Sequence, residues 1–248
     1  YYNDCRCIVK LFFLFIGFYY NSYYMIGTIF VILAAILALW AQMKVTSTYN
    51  RYRKVANARG ITGAQVAREI LDSEGLYDIM IYEVKGQLSD HYNPGKKTIN
   101  LSSDVYHGTS IASLAVAAHE CGHAIQHATN YVPLNLRSAI VPVANIGSTL
   151  SWPLFLAGLI FSIRPLLTVG IILFTFAVLF QLVTLPVEFN ASSRALKMLG
   201  SSGMLGADEV KGARKVLTAA ALTYVAALAS SILQLLRLII LAGGRDRD

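Results

Sequence analysis

The stretch "AVAAHECGHAIQHA", residues 115–128, decides how this chain is interpreted, because it places three histidines at four-residue spacing with one glutamate among them. In a helix, residues i and i+4 lie on one face about 6 Å apart, so His119 and His123 can bind one zinc ion together. Glu120 lies beside them, where a carboxylate can accept a proton from an attacking water. An ordinary helix with surface histidines is the alternative. The H-E-x-x-H spacing favours the metal site.

A catalytic zinc ion takes three protein ligands and keeps a fourth position open. His127 is a poor third ligand, because eight residues of helix separate it from His119 by about 12 Å. We interpret His127 as a helix-end cation or a residue at the rim of the site. Glu188 is the single acidic residue between Glu120 and Asp208, and a carboxylate at the end of a membrane helix is costly unless it is paired or binds metal. A hydrogen-bonded interfacial glutamate is the other interpretation, and we predict Glu188 as the third ligand.

The composition is that of a membrane protein. Hydrophobic residues make up 55% of the 248 residues and charged residues 14%, against roughly 25% charged in soluble proteins, and the mean hydropathy is +0.52. The net charge of +7 does not indicate nucleic-acid binding, because basic residues cluster directly after an apolar segment, as they do on cytoplasmic flanks of membrane helices. These residues are Lys44, Arg51, Arg53, Lys54 and Arg59. The three cysteines do not form a disulfide framework.

Four apolar segments predict about four transmembrane helices. A single break, at Arg164 and Pro165, divides the long apolar stretch in the middle of the chain, which therefore predicts a membrane hairpin. A hairpin returns to the side from which it started, so Glu188 is expected on the membrane face that carries His119. The predicted segments are an N-terminal extension (1–24) to which we assign no function, helix 1 (25–43), a soluble part (44–137), the hairpin (138–187), a second soluble part (188–215), helix 4 (216–243) and a tail (244–248).

The soluble parts show signals of their own. Thr62 and Gln65 have capping-box spacing, which predicts a helix over 63–73. The segments 79–86 and 96–102 predict two strands of a hairpin, of which "KKTINLS" is either a purely structural strand or a free edge for an extended peptide. Thr109 or Ser110 caps the helix with the histidines, which we place at 109–129. Two short helices are expected within 192–215. Because both soluble parts are rich in Lys and Arg, they are expected to be cytoplasmic.

The chain closely resembles the YugP-like bacterial membrane zinc metallopeptidases over nearly all of residues 25–248. The segments that carry the likeness are "GITGAQVAREIL", "LSDHYNP", "VYHGTSIASLAVAAHECGHAIQH", "RSAIVPVAN" and "FQLVTLPVEFNASSRAL". The chain is more distantly similar to HtpX and the CAAX prenyl proteases, which place a Glu-Phe-x-Ala-Asp motif after the membrane hairpin. Glu188 opens the matching motif here, and Ser192 stands where those relatives have the Asp that assists the metal ligands.

The resemblance implies a mainly α membrane protein with a small α+β zincin-like domain of the gluzincin type. It implies a metalloendopeptidase in the bacterial cell membrane, whose active site faces the cytoplasm by analogy with HtpX. One Zn²⁺ would be held by His119, His123 and Glu188, and Glu120 would be the general base that activates water. A protein or peptide is the expected substrate. The chain is expected to lie in the lipid bilayer and not to bind nucleic acid.

Other residues are assigned from the pattern alone. A donor for the developing oxyanion is expected, and His107 and His91 are candidates, although loop or capping roles are the alternative for both. Cys121 lies across the helix from the metal face and is interpreted as packing. Arg137, at the start of the second membrane helix, is interpreted as an interfacial anchor.

Two other classes of protein are weighed. A non-catalytic zinc-binding scaffold of the same fold would need no base beside the metal, so Glu120 argues against it. A metal transporter would carry ionisable groups within the bilayer, whereas the histidines here lie in a soluble segment before the hairpin. Both alternatives are less favoured than a peptidase.

Overall fold

The computed structural model describes residues 22–86 and 89–243. The sequence interpretation of residues 1–24 as an extension therefore falls almost wholly outside the described residues, apart from three residues that open the first helix. The predicted tail, residues 244–248, also lies outside them.

Long helices make up most of the described chain. They are α1 (Ser22–Tyr52), α5 (Val132–Phe161), α6 (Arg164–Ser201) and α7 (Ala207–Gly243). All four are long and apolar enough to cross a membrane. The prediction of a mainly α protein with about four membrane helices is confirmed for the described residues.

Shorter elements lie between α1 and α5. They are α2 (Gly63–Ser73), β1 (Met80–Val84), β2 (His91–Asn93), β3 (Thr98–Ser102), α3 (Ser103–Tyr106) and α4 (Ile111–Ala128). The expected capping box at α2 is present, since Thr62 accepts from the Gln65 N–H and the Gln65 side chain accepts from the Thr62 N–H. Ser110 caps α4 by accepting from the Ser113 N–H, so α4 follows the predicted helix closely.

The second predicted soluble part contains no separate short helices in the structure. Residues 188–201 continue α6 and residues 207–215 begin α7, with a turn between the two helices. Gly203 adopts a φ of +68° in this turn, a conformation that glycine reaches without steric cost. Glu188 therefore belongs to the same helix as the second half of the membrane hairpin. The break before α6 also differs slightly, because Arg164 and Pro165 open α6 rather than separate the helices.

The three-stranded sheet differs from the predicted hairpin. Its order is β1-β3-β2, with β1 parallel to β3 and β2 antiparallel to it. The sequence predicts a turn between the strands at 79–86 and 96–102, but β2 lies there. A strand of three residues is too short to show an alternation of apolar and polar residues. Of the two interpretations of "KKTINLS", the structural strand holds and the free edge is excluded, because β3 pairs with β1 on one side and with β2 on the other.

The chain divides into two compact units, which are described separately. The described residues of one unit are 22–38, 141–180 and 226–243. A small core of Phe155, Leu167 and Leu238 forms within it, and Gly158 permits close helix packing there, since a Cβ would lie 2.8 Å from the Leu167 nitrogen. Over these described residues the unit consists of helical segments and the short turn between α5 and α6.

The other unit contains Leu39–Ile140 and Gln181–Val225. Its main core joins α2, α4, β3 and the helices that follow residue 181. Apolar side chains with no exposed surface form this core; they include Val66, Ile70, Ile99, Leu101, Leu114 and Leu199. All residues of the site described next belong to this unit.

Candidate metal centre

Close packing of α4 on α6 brings the candidate ligands together. Gly122 lies between the two histidines of the motif, and a Cβ at this position would lie 2.6 Å from the Ala191 carbonyl oxygen. Only glycine lets the two backbones approach so closely. Because Ala191 is flanked on α6 by Glu188 and Ser192, this contact places both side chains against the histidines of α4.

Three side-chain atoms converge at the contact. His119 Nε2 lies 3.2 Å from His123 Nε2 and 3.2 Å from Glu188 Oε2, and His123 Nε2 lies 3.6 Å from Glu188 Oε2. Zinc binds nitrogen and oxygen at about 2.0–2.2 Å, and tetrahedral geometry then separates two donors by about 3.3 Å. The measured separations match that value, and the donor set of two imidazoles and a carboxylate is one that zinc prefers. The residues present therefore fit a zinc ion.

The orientation of His123 is fixed by Gln126, one turn further along α4. Gln126 is fully buried, and its amide nitrogen donates to the Val187 carbonyl and to Asn190 Oδ1. Its Oε1 consequently faces His123 Nδ1 at 3.0 Å. An amide oxygen only accepts hydrogen bonds, so Nδ1 carries the proton and Nε2 presents its lone pair to the metal position.

His119 is held from the other side of the site. Its Nδ1 lies 3.2 Å from the Ser192 hydroxyl. A hydroxyl can accept from Nδ1–H, which leaves the Nε2 lone pair free for a metal ion. Ser192 thus makes the contact with a ligand histidine, although it stands where distant relatives have an aspartate.

Glu188 is 3% exposed, and groups from two further helices contact it. Arg137 Nη1 on α5 lies 3.4 Å from Glu188 Oε1, the oxygen that does not face the histidines. The Tyr224 side chain on α7 lies beside the Glu188 carboxylate, and both residues line the same cavity. Arg137, interpreted from the sequence as an interfacial anchor, therefore contacts the ligand carboxylate.

The negative charge of these carboxylates acts on the histidines. Burial lowers the pKa of His123, but the hydrogen bond to Glu188 and the charge of Glu120 outweigh that effect. The pKa of His123 consequently lies above its ordinary value. Because a carboxylate that attracts a proton to this position also attracts a metal cation, the electrostatics favour cation binding.

Glu120 stands next to the three converging atoms and is 8% exposed. Its Oε2 accepts a hydrogen bond of 2.9 Å from the Tyr92 backbone N–H on β2. The Tyr92 hydroxyl lies 3.0 Å from His127 Nδ1. Tyr92 therefore attaches β2 to α4 at two points and holds the Glu120 carboxylate in place.

A cavity of about 310 Å³ opens at the metal centre. His119, Glu120, Glu188 and Ser192 lie on its wall. This volume is at the lower end of the roughly 300–1,000 Å³ found for enclosed ligand sites. The cavity therefore has room for a short peptide segment beside the metal position.

The remaining histidines lie elsewhere. His107 Nε2 pairs with Glu83 Oε2 at 3.2 Å, and His91 contacts the Ser89 carbonyl and Asn100. Neither residue is among those that line the 310 Å³ cavity. His127 lies in the last turn of α4, a place that favours a cation.

Cys121 lies among the core residues of α4 rather than at the metal centre. It is completely buried, its thiol points toward the Ala67 carbonyl at 3.6 Å, and burial raises the pKa of the thiol. A buried and protonated thiol is unreactive, as the packing interpretation requires.

Residues that support the ligands escaped the sequence analysis. Gln126, Asn190 and Tyr224 were not singled out. Gln126 follows His123 at the i+3 position, where a helix places two side chains on one face. That spacing was the one available signal; the contributions of Asn190 and Tyr224 depend on packing between helices distant in sequence.

Two imidazoles and a carboxylate converge beside a second carboxylate, on a chain with four helices long enough to cross a membrane. These features are typical of membrane metalloproteins with an H-E-x-x-H motif. Comparison with known proteins agrees. The family model described as "putative neutral zinc metallopeptidase" matches residues 27–243. The chain belongs to this family.

A curated relative narrows the likeness. "Putative membrane protease YugP" of Bacillus subtilis (strain 168) is 50% identical to the chain over 222 residues, which cover 89% of this chain and 99% of that protein. No solved structure matches the chain.

Proposed function

We propose that the protein is a membrane-embedded, zinc-dependent metalloendopeptidase of the gluzincin type. The observation that carries this proposal is the convergence of His119 Nε2, His123 Nε2 and Glu188 Oε2 beside the Glu120 carboxylate. One zinc ion bound by these atoms would supply Lewis acidity, which polarises the scissile carbonyl and makes water more acidic.

Glu120 is the proposed general base and acid. Its Oε2 is held by the Tyr92 N–H, so Oε1 is the oxygen available to a water in the cavity. Glu120 takes a proton from the attacking water and delivers it to the leaving amine. A carboxylate fixed at one oxygen keeps its position during both transfers.

Tyr224 is the residue we propose as donor to the developing oxyanion, since it lines the cavity together with Glu120 and Glu188 and its side chain carries a hydroxyl group. Preorganised donors of this kind contribute strongly to acyl transfer in an enclosed site. His107 and His91, which the sequence suggested for this role, bond to other groups outside the cavity wall.

We further propose that the active site faces the cytoplasm of the bacterial cell. Basic residues at the end of α1, in the C-terminal part of α6 and in the N-terminal part of α7 support this orientation by the positive-inside rule. The substrate would be a protein or peptide that reaches the site from that side of the bilayer.

A non-catalytic zinc-binding scaffold is the second candidate. It explains the three ligands equally well, but gives no reason for a buried Glu120 held in place by Tyr92 at the edge of the same cavity. Catalysis accounts for both features.

The test is zinc content and casein cleavage of the detergent-purified full chain, measured side by side with Glu120→Gln. We expect stoichiometric zinc in both proteins and cleavage only in the wild type. Zinc binding without cleavage by the wild type would favour the scaffold, and equal cleavage by Glu120→Gln would exclude the proposed base.

A further inference from the structure

The cavity at the metal centre has an apolar side that none of the proposed catalytic roles uses. On α7 the lining residues recur at i, i+1, i+4 and i+5, which is one face of a helix. Val45 of α1 and Val116 of α4 complete the apolar side. The α7 residues are Val216, Leu217, Ala220 and Ala221.

The charged groups on the cavity wall already have partners. Arg53 Nη2 lies 3.5 Å from Asp104 Oδ2. Asp90 accepts from the Ser102 N–H and hydroxyl at 2.7 and 3.0 Å. Because these groups already have partners, a charged substrate side chain gains less here than an apolar one, whose transfer out of water against the aliphatic side is favourable.

Two alanines leave space on α7 where larger residues would fill it. Ala221 and Leu217 also line a neighbouring groove, whereas Ala220 lines the metal cavity and is not among the residues of that groove. Of the two alanines, Ala220 is therefore the one at which side-chain size acts on the metal cavity and not on the groove.

Resting on the proposed peptidase function, we infer that this apolar side is a specificity subsite for an aliphatic side chain of the substrate residue next to the scissile bond, and that Ala220 sets its size. Peptide segments with leucine, isoleucine, valine or methionine at that position are the substrate class. The cavity wall carries His119 and Glu120 together with the subsite, so one peptide segment can occupy both.

Binding of labelled peptides to the zinc-loaded, full-length Glu120→Gln protein tests the subsite without turnover. The probes are fluorescein-labelled hexapeptides of glycine with Leu, Asp, Lys or Gly at one central position, and Kd is measured by anisotropy. Burial of a leucine side chain predicts binding about tenfold tighter for the Leu peptide than for the Gly peptide.

Three further variants in the same background locate the preference. Ala220→Leu should reduce it to less than about twofold, and Ala220→Val should give an intermediate value, because each added methyl or methylene group occupies the subsite. Ala227→Leu is the matched control on α7, away from the cavity lining, and should keep the full preference. Zinc content and melting temperature confirm that each variant is folded.

The outcomes separate the subsite from the catalytic proposal. Equal affinity for the Leu and Gly peptides, tighter binding of the Lys or Asp peptide, or an unchanged preference in folded Ala220→Leu would overturn the subsite. If the preference behaves as expected but wild-type protein cleaves no peptide or casein, the peptidase proposal fails and the subsite stands as a binding site.

Discussion

Two histidine–glutamate pairs in this protein have the same separation but different surroundings. His119 Nε2 and Glu188 Oε2 lie 3.2 Å apart at the metal centre, and His107 Nε2 and Glu83 Oε2 lie 3.2 Å apart beside the sheet. The side chains of the first pair are 15% and 3% exposed, and those of the second are 67% and 43% exposed.

The difference lies in what surrounds each pair. At the metal centre the donor groups are almost wholly removed from solvent. A buried amide contacts His123, a hydroxyl contacts His119 and a guanidinium contacts Glu188. Near the sheet the same contact is exposed to solvent, where an ion pair contributes little to stability. A short distance alone does not define a site, whereas burial together with a set of orienting partners does.

Removing the buried carboxylate should have the largest effect. Glu188→Ala deletes one of the three proposed ligands. Loss of a hydrogen bond that supports a ligand lowers metal affinity about 10–100-fold, so loss of the ligand itself should lower zinc affinity by more than that. Casein cleavage should be lost as well. Competition with a chelating dye measures the affinity. Glu83→Ala is the matched control and should leave zinc affinity unchanged; equal zinc binding by Glu188→Ala would remove Glu188 from the ligand set.

Removing the buried amide should have the next largest effect. Gln126→Leu leaves the Nδ1–H of His123 without an acceptor, and we expect zinc affinity to fall about 10–100-fold and the metal-free protein to lose about 1–3 kcal/mol of stability. Gln126→Glu keeps an acceptor oxygen and should retain more affinity than Gln126→Leu. If both variants bind zinc as the wild type does, Gln126 does not orient His123.

A smaller effect is expected at the hydroxyl that contacts His119. Ser192→Ala should weaken zinc binding by at most about tenfold. Ser192→Asp introduces the residue of the distant relatives, and because hydrogen bonds to a carboxylate are roughly twice as strong as neutral ones, it should strengthen binding. The same dye competition measures both; weaker zinc binding by Ser192→Asp than by Ser192→Ala would contradict the proposed contact.

The exposed pair should give the smallest effect, in the pH dependence of stability. Hydrogen bonds from Ser103 and then His107 lower the pKa of Glu83 below its ordinary value. A carboxyl group with a lowered pKa stabilises the folded protein at pH values above the pKa it has in the unfolded chain. This stabilisation is lost as the pH falls through the pKa of the folded protein. The wild type should therefore melt at a slightly higher temperature than Glu83→Gln near neutral pH, and this difference should disappear at acid pH. A gap that widens on acidification would contradict this sign.

The features that could be predicted from the sequence are those that depend on residues close together in the chain. The motif spacing predicts His119, Glu120 and His123 on one helix. Because Glu188 is isolated among apolar residues, the sequence also singles it out as the third ligand, and α6 brings it to the two histidines. Contacts between distant helices have no such signal, so neither the contact of Arg137 with Glu188 nor the position of Tyr224 on the cavity wall was anticipated. The sheet was misread because β2 has only three residues and the pairing of β1 with β3 is parallel.

X-ray absorption at the zinc edge of the purified full chain would identify the atoms that bind the metal. We expect two imidazole nitrogens and light oxygen atoms at about 2.0–2.2 Å, without sulfur, and loss of one oxygen ligand in any zinc-retaining Glu188→Ala sample. A spectrum with three imidazoles, or with sulfur at about 2.3 Å, would contradict the site of His119, His123 and Glu188.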